Sequence, residues 1–182
     1  RIEMASSHDG RTWNWVPGGA VLDTAPFGEW DGGCVFAGPN LVELPNGDWA
    51  LPYRGFDVPH KYPRNRAQRG MGYALWPRGR LAALEAAGRG GFTTVSFMPP
   101  GRKLLVNALV RRGGFVRVAV LSGAGGEVLE GRSLDDCAPL VGDLYRAPVA
   151  WRGTEELGSA AGEPVCLQVE LDQARLFGLE FA

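Results

Sequence analysis

Glycine and proline interrupt this chain at short intervals along its whole length. The 27 glycines and 13 prolines make up roughly a fifth of the 182 residues, and they separate short apolar stretches without a periodic repeat. Such residues mark turns, because glycine tolerates positive φ and proline removes a backbone donor. The pattern predicts an all-β protein in which short strands are joined by tight turns.

Composition and charge narrow the range of partners. Hydrophobic residues make up 45% of the chain, enough for a buried core, and the length suits one domain or two small ones. The net charge is −1 and the arginines are scattered, so we expect no nucleic-acid partner. No apolar run approaches roughly 20 residues and no signal-peptide pattern is present, so we expect no membrane partner. An extracellular and a cytoplasmic location both stay open.

Cysteine and aspartate spacing predicts no metal site and no cofactor. Cys34, Cys137 and Cys166 form no CxxC pair, so we expect buried free thiols without zinc or a disulfide. The segment SLDDCAPLVGD, residues 133–143, offers three aspartates that would suit calcium, but it lacks the EF-hand spacing. An ordinary loop is the expected structure there.

Two segments of the first half are predicted to form hairpins on the same plan. The first turns at Asp9-Gly10 and the second at Asn46-Gly47, and a tryptophan follows each turn. Both dipeptides are typical of type I′ turns, in which both central residues take positive φ. In the first hairpin, short oxygen-bearing side chains are expected to bond backbone N–H groups, and the Trp13 indole is expected to pack into the core.

Several further segments have the pattern of strands. GGCVFAG (32–38) predicts a strand buried on both faces, and GMGYALW (70–76) predicts another. GRLAALEAAGRG (79–90) fits a helix about as well as a strand or a single turn. Apolar residues alternate with other residues over 116–120 and 165–171, which is the period of a sheet with one covered face. The remaining predicted strands lie in TTVSFMP, KLLVNALV, GFVRVAVLSG, APVAWRG, EPVCLQVELD and ARLFGLEF.

Two resemblances emerge from these motifs. SSHDGRTW resembles the Asp-box turn of sialidase-like propellers, in a form one residue shorter than usual. Nearly the whole chain resembles the invertase-like or arabinanase-like glycoside hydrolases, in which a β-propeller precedes a β-sandwich. The segments that carry this second resemblance are GEWDGGCVFAGPNLVEL, DWALPYRGFDVPH, LLVNA, GFVRVAVLSGAGGEVLEGRSLDDCAPLVGD, VAWRG and PVCLQVELDQARLFGLEF.

The second resemblance implies a domain organisation. A propeller blade takes about 40 to 50 residues, so residues 1–92 correspond to about the last two blades of a propeller. Residues 93–182 correspond to a jelly-roll-like β-sandwich. The expected fold is therefore all-β, and the expected parent is a longer protein whose upstream blades contact this part.

The resemblance also implies glycoside hydrolysis by two carboxylates, with an oligosaccharide or a glycoside as substrate. Asp31, in GEWDGG, precedes a predicted strand at the place from which propeller blades project their acids, so it is the candidate catalytic residue. Glu29 and Trp30 are candidate substrate-binding residues beside it, and Trp30 would supply a stacking face. Most of the catalytic carboxylates are expected outside these residues, so this part alone is expected to be inactive.

Further candidate binding residues lie in the loop that follows. Arg54, Asp57 and His60 precede a segment rich in proline and arginine, and loops on a rigid scaffold often carry binding residues. His60 would bond a sugar hydroxyl or act near neutral pH.

Several alternatives stay open for these residues and for the chain. Asp31 would instead cap a turn at Gly32 and Gly33, and His60 would instead bond to backbone. The chain would be a non-catalytic carbohydrate-binding module if its tryptophans offer faces to sugars, or a structural module if the sandwich only covers an edge. The tryptophans considered for sugar binding are Trp30, Trp49, Trp76 and Trp151.

Overall fold

The computed structural model describes residues 1–62 and 67–182, and over these ranges the protein is all-β. Every pair of neighbouring strands is antiparallel. Neither range contains a helix long and apolar enough to cross a membrane. The strands are β1 (Ala5–Ser6), β2 (Asn14–Trp15), β3 (Cys34–Ala37), β4 (Val42–Glu43), β5 (Trp49–Phe56), β6 (Arg69–Trp76), β7 (Leu84–Thr93), β8 (Leu104–Ser122), β9 (Asp143–Pro148) and β10 (Val165–Phe181).

The chain divides into two compact units, Arg1–Leu81 and Ala82–Ala182. This division falls earlier than the predicted one after residue 92, because β7 pairs with β10 along most of its length and so belongs to the second unit. The segment 79–90, which fitted a helix or a strand, contributes its second half to β7, so the helical alternative is wrong. The predicted strand in TTVSFMP contributes only the end of β7 and one bridge at Phe97.

The first unit contains a small sheet centred on β5. β6 pairs along one side of β5, while β3 and β4 pair with successive parts of its other side. The predicted strand 70–76 is confirmed as β6. The strand predicted within 32–38 is confirmed as β3, but its burial on both faces is not, because Phe36 is 43% exposed and Ala37 is exposed.

Both predicted hairpins are present, but their turns are not type I′. Only the glycine of each dipeptide has positive φ, +70° at Gly10 and +85° at Gly47. At the second turn the Gly47 N–H donates to the Leu44 carbonyl at 2.8 Å, and the Leu44 N–H donates to the Asp48 carbonyl at 2.8 Å. These bonds close a longer loop, typical of a hairpin whose glycine forms a bulge beside the turn.

The second unit is a four-stranded sheet in the order β7-β10-β8-β9. Its two long strands, β8 and β10, each join two predicted strands into one. Irregularities in the register between Asp172 and Ala174 and between Leu176 and Gly178 absorb the intervening residues as bulges. The predicted alternation is confirmed, because the valines of 116–120 and the apolar residues of 165–171 are buried in one core cluster.

Side chains complete the hydrogen bonding of β8 at Val118. The Val118 N–H donates to Cys137 Sγ at 3.4 Å, and the Trp151 Nε1–H donates to the Val118 carbonyl at 2.6 Å. Both side chains are buried, and burial raises the pKa of the Cys137 thiol. All three cysteines are free, as predicted, but Cys34 and Cys166 are only half-buried.

Candidate functional site

A buried carboxylate lies over the sheet of the first unit. Asp31 is 8% exposed, and among the residues described it is the only charged side chain that is buried. Its Oδ2 accepts a hydrogen bond of 2.8 Å from the hydroxyl of Tyr53 on β5. Burial, followed by this bond and by the negative charge of Asp31, raises the pKa of Tyr53. The hydroxyl therefore stays protonated and keeps donating at neutral pH.

Glycines on β5 and β6 make the space for this carboxylate. Gly55 and Gly70 are paired across the two strands and lie on the same face as Tyr53. A methyl group at Gly55 would collide with the Asp31 side chain, and one at Gly70 would come within 2.7 Å of the Trp30 ring. The Trp30 ring also stacks on Tyr53, with centroids 5.7 Å apart and an angle of 24° between the planes.

The loop that carries Asp31 holds its shape through backbone bonds. The Gly32 N–H donates to the Glu29 carbonyl at 3.0 Å, and the Gly33 N–H donates to the Phe56 carbonyl at 2.8 Å. Asp31 is therefore not the turn cap that was the alternative to a functional role. Glu29 itself is exposed within this turn.

The opposite face of the same sheet forms an open groove of about 530 Å³. Arg54 lies on this face because it neighbours Tyr53 along β5, and side chains alternate between the faces of a strand. The Phe36 ring contacts Phe56 and His60 edge-on, with centroid distances of 5.9 Å and 5.3 Å. The residues that line the groove are Phe36, Ala37, Gly38, Pro39, Pro52, Arg54, Phe56, His60 and Met71, and Tyr53 also borders it although its ring lies on the other face with Trp30.

The predicted site residues lie in two separate groups, and Asp57 belongs to neither. Trp30 and Asp31 lie together on one face of the sheet, whereas Arg54 and His60 lie together in the groove on the other. Asp57 accepts a hydrogen bond of 2.8 Å from the Gln68 N–H, so it holds the connection between β5 and β6.

Sequence reasoning missed two residues of these groups. Tyr53 is the partner of Asp31, and Phe36 is the central ring of the groove. The signal for Tyr53 was the presence of two glycines beside it on one face of the sheet. Gly55 lies two residues along β5, and Gly72 is opposite Tyr53 on β6. Such a face leaves room for large rings.

The first hairpin has the local bonding that its side chains predicted. Asp9 Oδ1 accepts hydrogen bonds of 2.8 Å from the N–H groups of both Arg11 and Thr12, and Ser7 Oγ donates to it at 3.0 Å. These bonds lower the pKa of Asp9 to about 2. Trp13 is 63% exposed, however, so its expected packing into the core is wrong.

Two other candidate groups have structural partners. Asp136 accepts bonds from the hydroxyl and N–H of Ser133 and from Arg152, and no group of three or more metal-binding side chains occurs within 1–62 and 67–182. Trp151 is fully buried and therefore offers no face to a sugar.

Comparison with known proteins gives no relative for this chain. No protein-family model, curated protein or solved structure matches it.

Proposed function

We propose that this chain is a carbohydrate-binding part of a glycoside hydrolase-like protein, and that the groove beside Phe36 and Arg54 holds the sugar. In this proposal the first unit corresponds to terminal blades of a β-propeller and the second to a jelly-roll-like β-sandwich. The antiparallel succession of β4, β5 and β6 is compatible with a blade, and the separate core of the second unit is compatible with an appended domain.

The observation that carries the proposal is the composition of the groove. Sugars present apolar C–H faces and a rim of hydroxyls, so they bind where aromatic rings and hydrogen-bonding groups are adjacent. Phe36 offers a partly exposed ring, and Arg54 and His60 offer hydrogen-bonding groups at the rim. The volume of about 530 Å³ lies within the range of small-molecule sites, which is roughly 300–1,000 Å³.

Titration calorimetry of the chain with arabino-, fructo- and xylo-oligosaccharides tests this proposal. Phe36→Ala removes the central ring and is expected to weaken binding by about tenfold, the value of one stacking contact. Phe27→Ala is the matched control, because Phe27 is 90% exposed in the same unit and does not line the groove. Absence of binding by every saccharide, or equal weakening by both variants, would overturn the proposal.

The buried pair of Asp31 and Tyr53 supports a second candidate function, hydrolysis by the same protein. A glycosidase needs two carboxylates, so Asp31 would supply one and a residue outside the described part would supply the other. Asp31 and the groove lie on opposite faces of the sheet, so this reaction would occur at a different place from groove binding.

Assay of the longer parent protein on aryl glycosides and on fructo- and arabino-oligosaccharides, with Asp31→Asn alongside, tests the catalytic role. The variant is expected to lose at least about 100-fold in rate while groove binding is unchanged. No hydrolysis by either protein, or equal rates for both, would remove Asp31 from catalysis and leave the binding proposal standing.

A further inference from the structure

We infer that the groove selects anionic saccharides, whose carboxylate, sulfate or phosphate group binds between Arg54 and Arg69. This inference rests on the proposed function, because it names the class of sugar that the same groove would take. It arises from two neighbouring arginines, Arg54 and Arg69, that form no ion pair within residues 1–62 and 67–182.

The register of β5 and β6 places the two arginines on one face. Arg54 is opposite Met71, and Arg69 is opposite Phe56, so the two arginines are diagonal neighbours. Diagonal positions of this kind are about 7–8 Å apart, which lets two long side chains converge on one group.

The space between the arginines continues into the groove. Arg54, Arg69, Gly70 and Met71 line an open cavity of about 510 Å³, and Arg54 and Met71 also line the groove. A saccharide ring against Phe36 would therefore have the guanidinium pair at its edge.

The charges of the two arginines have no partner among the residues described. Neither forms an ion pair there. Eight other arginines of the described ranges do lie within 4.0 Å of a carboxylate. These are Arg1, Arg89, Arg102, Arg111, Arg117, Arg146, Arg152 and Arg175.

The chemistry of guanidinium favours an oxyanion as the missing partner. Its planar set of donors matches the oxygens of a carboxylate, sulfate or phosphate, and bonds between charged groups are about twice as strong as neutral ones. Two uncompensated cations also repel each other, and a bound anion removes that repulsion. A neutral sugar of the same size lacks both contributions.

Calorimetry with matched saccharides distinguishes these classes. Digalacturonate and trigalacturonate are compared with neutral galacto-oligosaccharides of equal length, and a sulfated and a phosphorylated disaccharide distinguish the three kinds of anion. The acidic form is expected to bind at least about tenfold more tightly, the value of one hydrogen bond to a charged group. Added salt is expected to reduce this preference.

Variants test whether the two arginines cause the preference for acidic saccharides. Arg54→Gln and Arg69→Gln keep most of the side-chain length and are each expected to reduce the preference, and the double variant is expected to abolish it. Arg112→Gln removes the same charge from an exposed position in the second unit and is expected to change nothing. Circular dichroism and urea denaturation verify that each variant is folded.

Each other outcome overturns a defined part of the inference. Equal binding of acidic and neutral saccharides would refute anion selectivity and leave sugar binding intact. If inorganic sulfate or phosphate binds but no saccharide of either class does, both the inference and the proposed function are refuted. An equal loss in Arg112→Gln would show a general effect of charge and would refute the role of the two arginines.

Discussion

The two units of this protein differ in how much core they possess. Of the buried hydrophobic residues described, the first unit contributes only Val35 and Ala50, and all the others lie between Leu104 and Leu176 of the second unit. The second unit therefore has a core of its own. The first depends more on its loop contacts and hydrogen bonds, because a small sheet that buries few apolar side chains is marginal in water.

The exposed residues show the same difference. On β6 every second residue points outward, and three of these residues, Met71, Tyr73 and Leu75, are large, apolar and 63–72% exposed. Trp13 and Trp15 are also more than 60% exposed. The second unit is therefore stabilised mainly by its apolar core, and the first by loop contacts and hydrogen bonds. We expect the first unit to unfold at lower denaturant concentration.

The largest expected effect comes from breaking the core of the second unit. Trp151→Ala removes a fully buried ring and leaves the Val118 carbonyl without its indole donor. We expect a loss of about 3–5 kcal/mol in the free energy of unfolding of this unit. Urea denaturation with thiol labelling measures it, because Cys137 is buried and reacts only after the unit opens.

Trp151→Phe is the matched variant for this change. It keeps most of the ring volume and loses the N–H, so about 1–3 kcal/mol of the effect is expected to remain. Resonances of Tyr53 and Trp30 report the first unit in the same experiment. If they change at the same urea concentration as the labelling of Cys137, the two units unfold together and the proposed difference is incorrect.

A methyl group at Gly55, one of the two glycines beneath Asp31 and Trp30, tests the stability of the first unit. Gly55→Ala would collide with Asp31 and would bring a carbon to 2.7 Å from the Trp30 ring. We expect it to destabilise the first unit by about 1–3 kcal/mol and to increase the solvent exposure of Trp30, as measured by fluorescence quenching. Gly88→Ala is the control, because nothing lies within 4 Å of its added carbon. Equal losses in the two variants would contradict the role of Gly55 in making space for Asp31 and Trp30.

Removal of one hydroxyl has a smaller expected effect. Tyr53→Phe deletes the bond to Asp31 and is expected to cost the first unit about 1 kcal/mol. In the converse variant, Asp31→Asn, the pKa of Tyr53 is expected to fall toward its ordinary value, but not fully, because burial is the larger cause of its elevation. Phenolate absorbance against pH measures this shift. An unchanged Tyr53 titration would show that the bond is not formed in solution.

The smallest expected effect concerns the exposed turn at Asp9. Its pKa of about 2 in the folded protein lies below the ordinary 3.8, so the folded hairpin favours the charged carboxylate. The resulting stabilisation is present above about pH 4 and is lost as the pH falls toward 2. Amide shifts of Arg11 and Thr12 against pH measure it, with Asp9→Asn as the variant that should not titrate. A midpoint near 3.8 would contradict the bonding described.

Turn and strand positions could be predicted from sequence, but local conformations could not. Glycine identified both hairpins, because Gly10 and Gly47 take the positive φ that other residues avoid. The type of turn was wrong, because the residue before each glycine stays at negative φ when a longer loop closes the hairpin. The length of β8 was also missed, because two consecutive glycines, Gly113 and Gly114, usually indicate a turn between two strands. Here they lie within one bulged strand.

The candidate site shows a similar limit. Asp31 was selected by its place before a strand, and the structure does bury it there. Its separation from Arg54 follows from strand parity, because Tyr53 and Arg54 are adjacent on β5 and must face opposite sides. Sequence order placed these residues in one region, whereas the sheet divides them.

The pairing of β8 with β10 has a consequence for the time course of folding. Its nearest pair joins Ser122 to Val165, and its farthest joins Leu104 to Phe181, so every contact between them closes a long loop. Proteins dominated by such non-local pairs fold in roughly milliseconds to seconds, whereas an isolated hairpin forms in roughly 1–10 microseconds. The hairpins of the first unit would therefore form while β8 and β10 were still unpaired, and the apolar side chains of those two strands would stay exposed to solvent in the meantime. During that interval, aggregation would compete with folding.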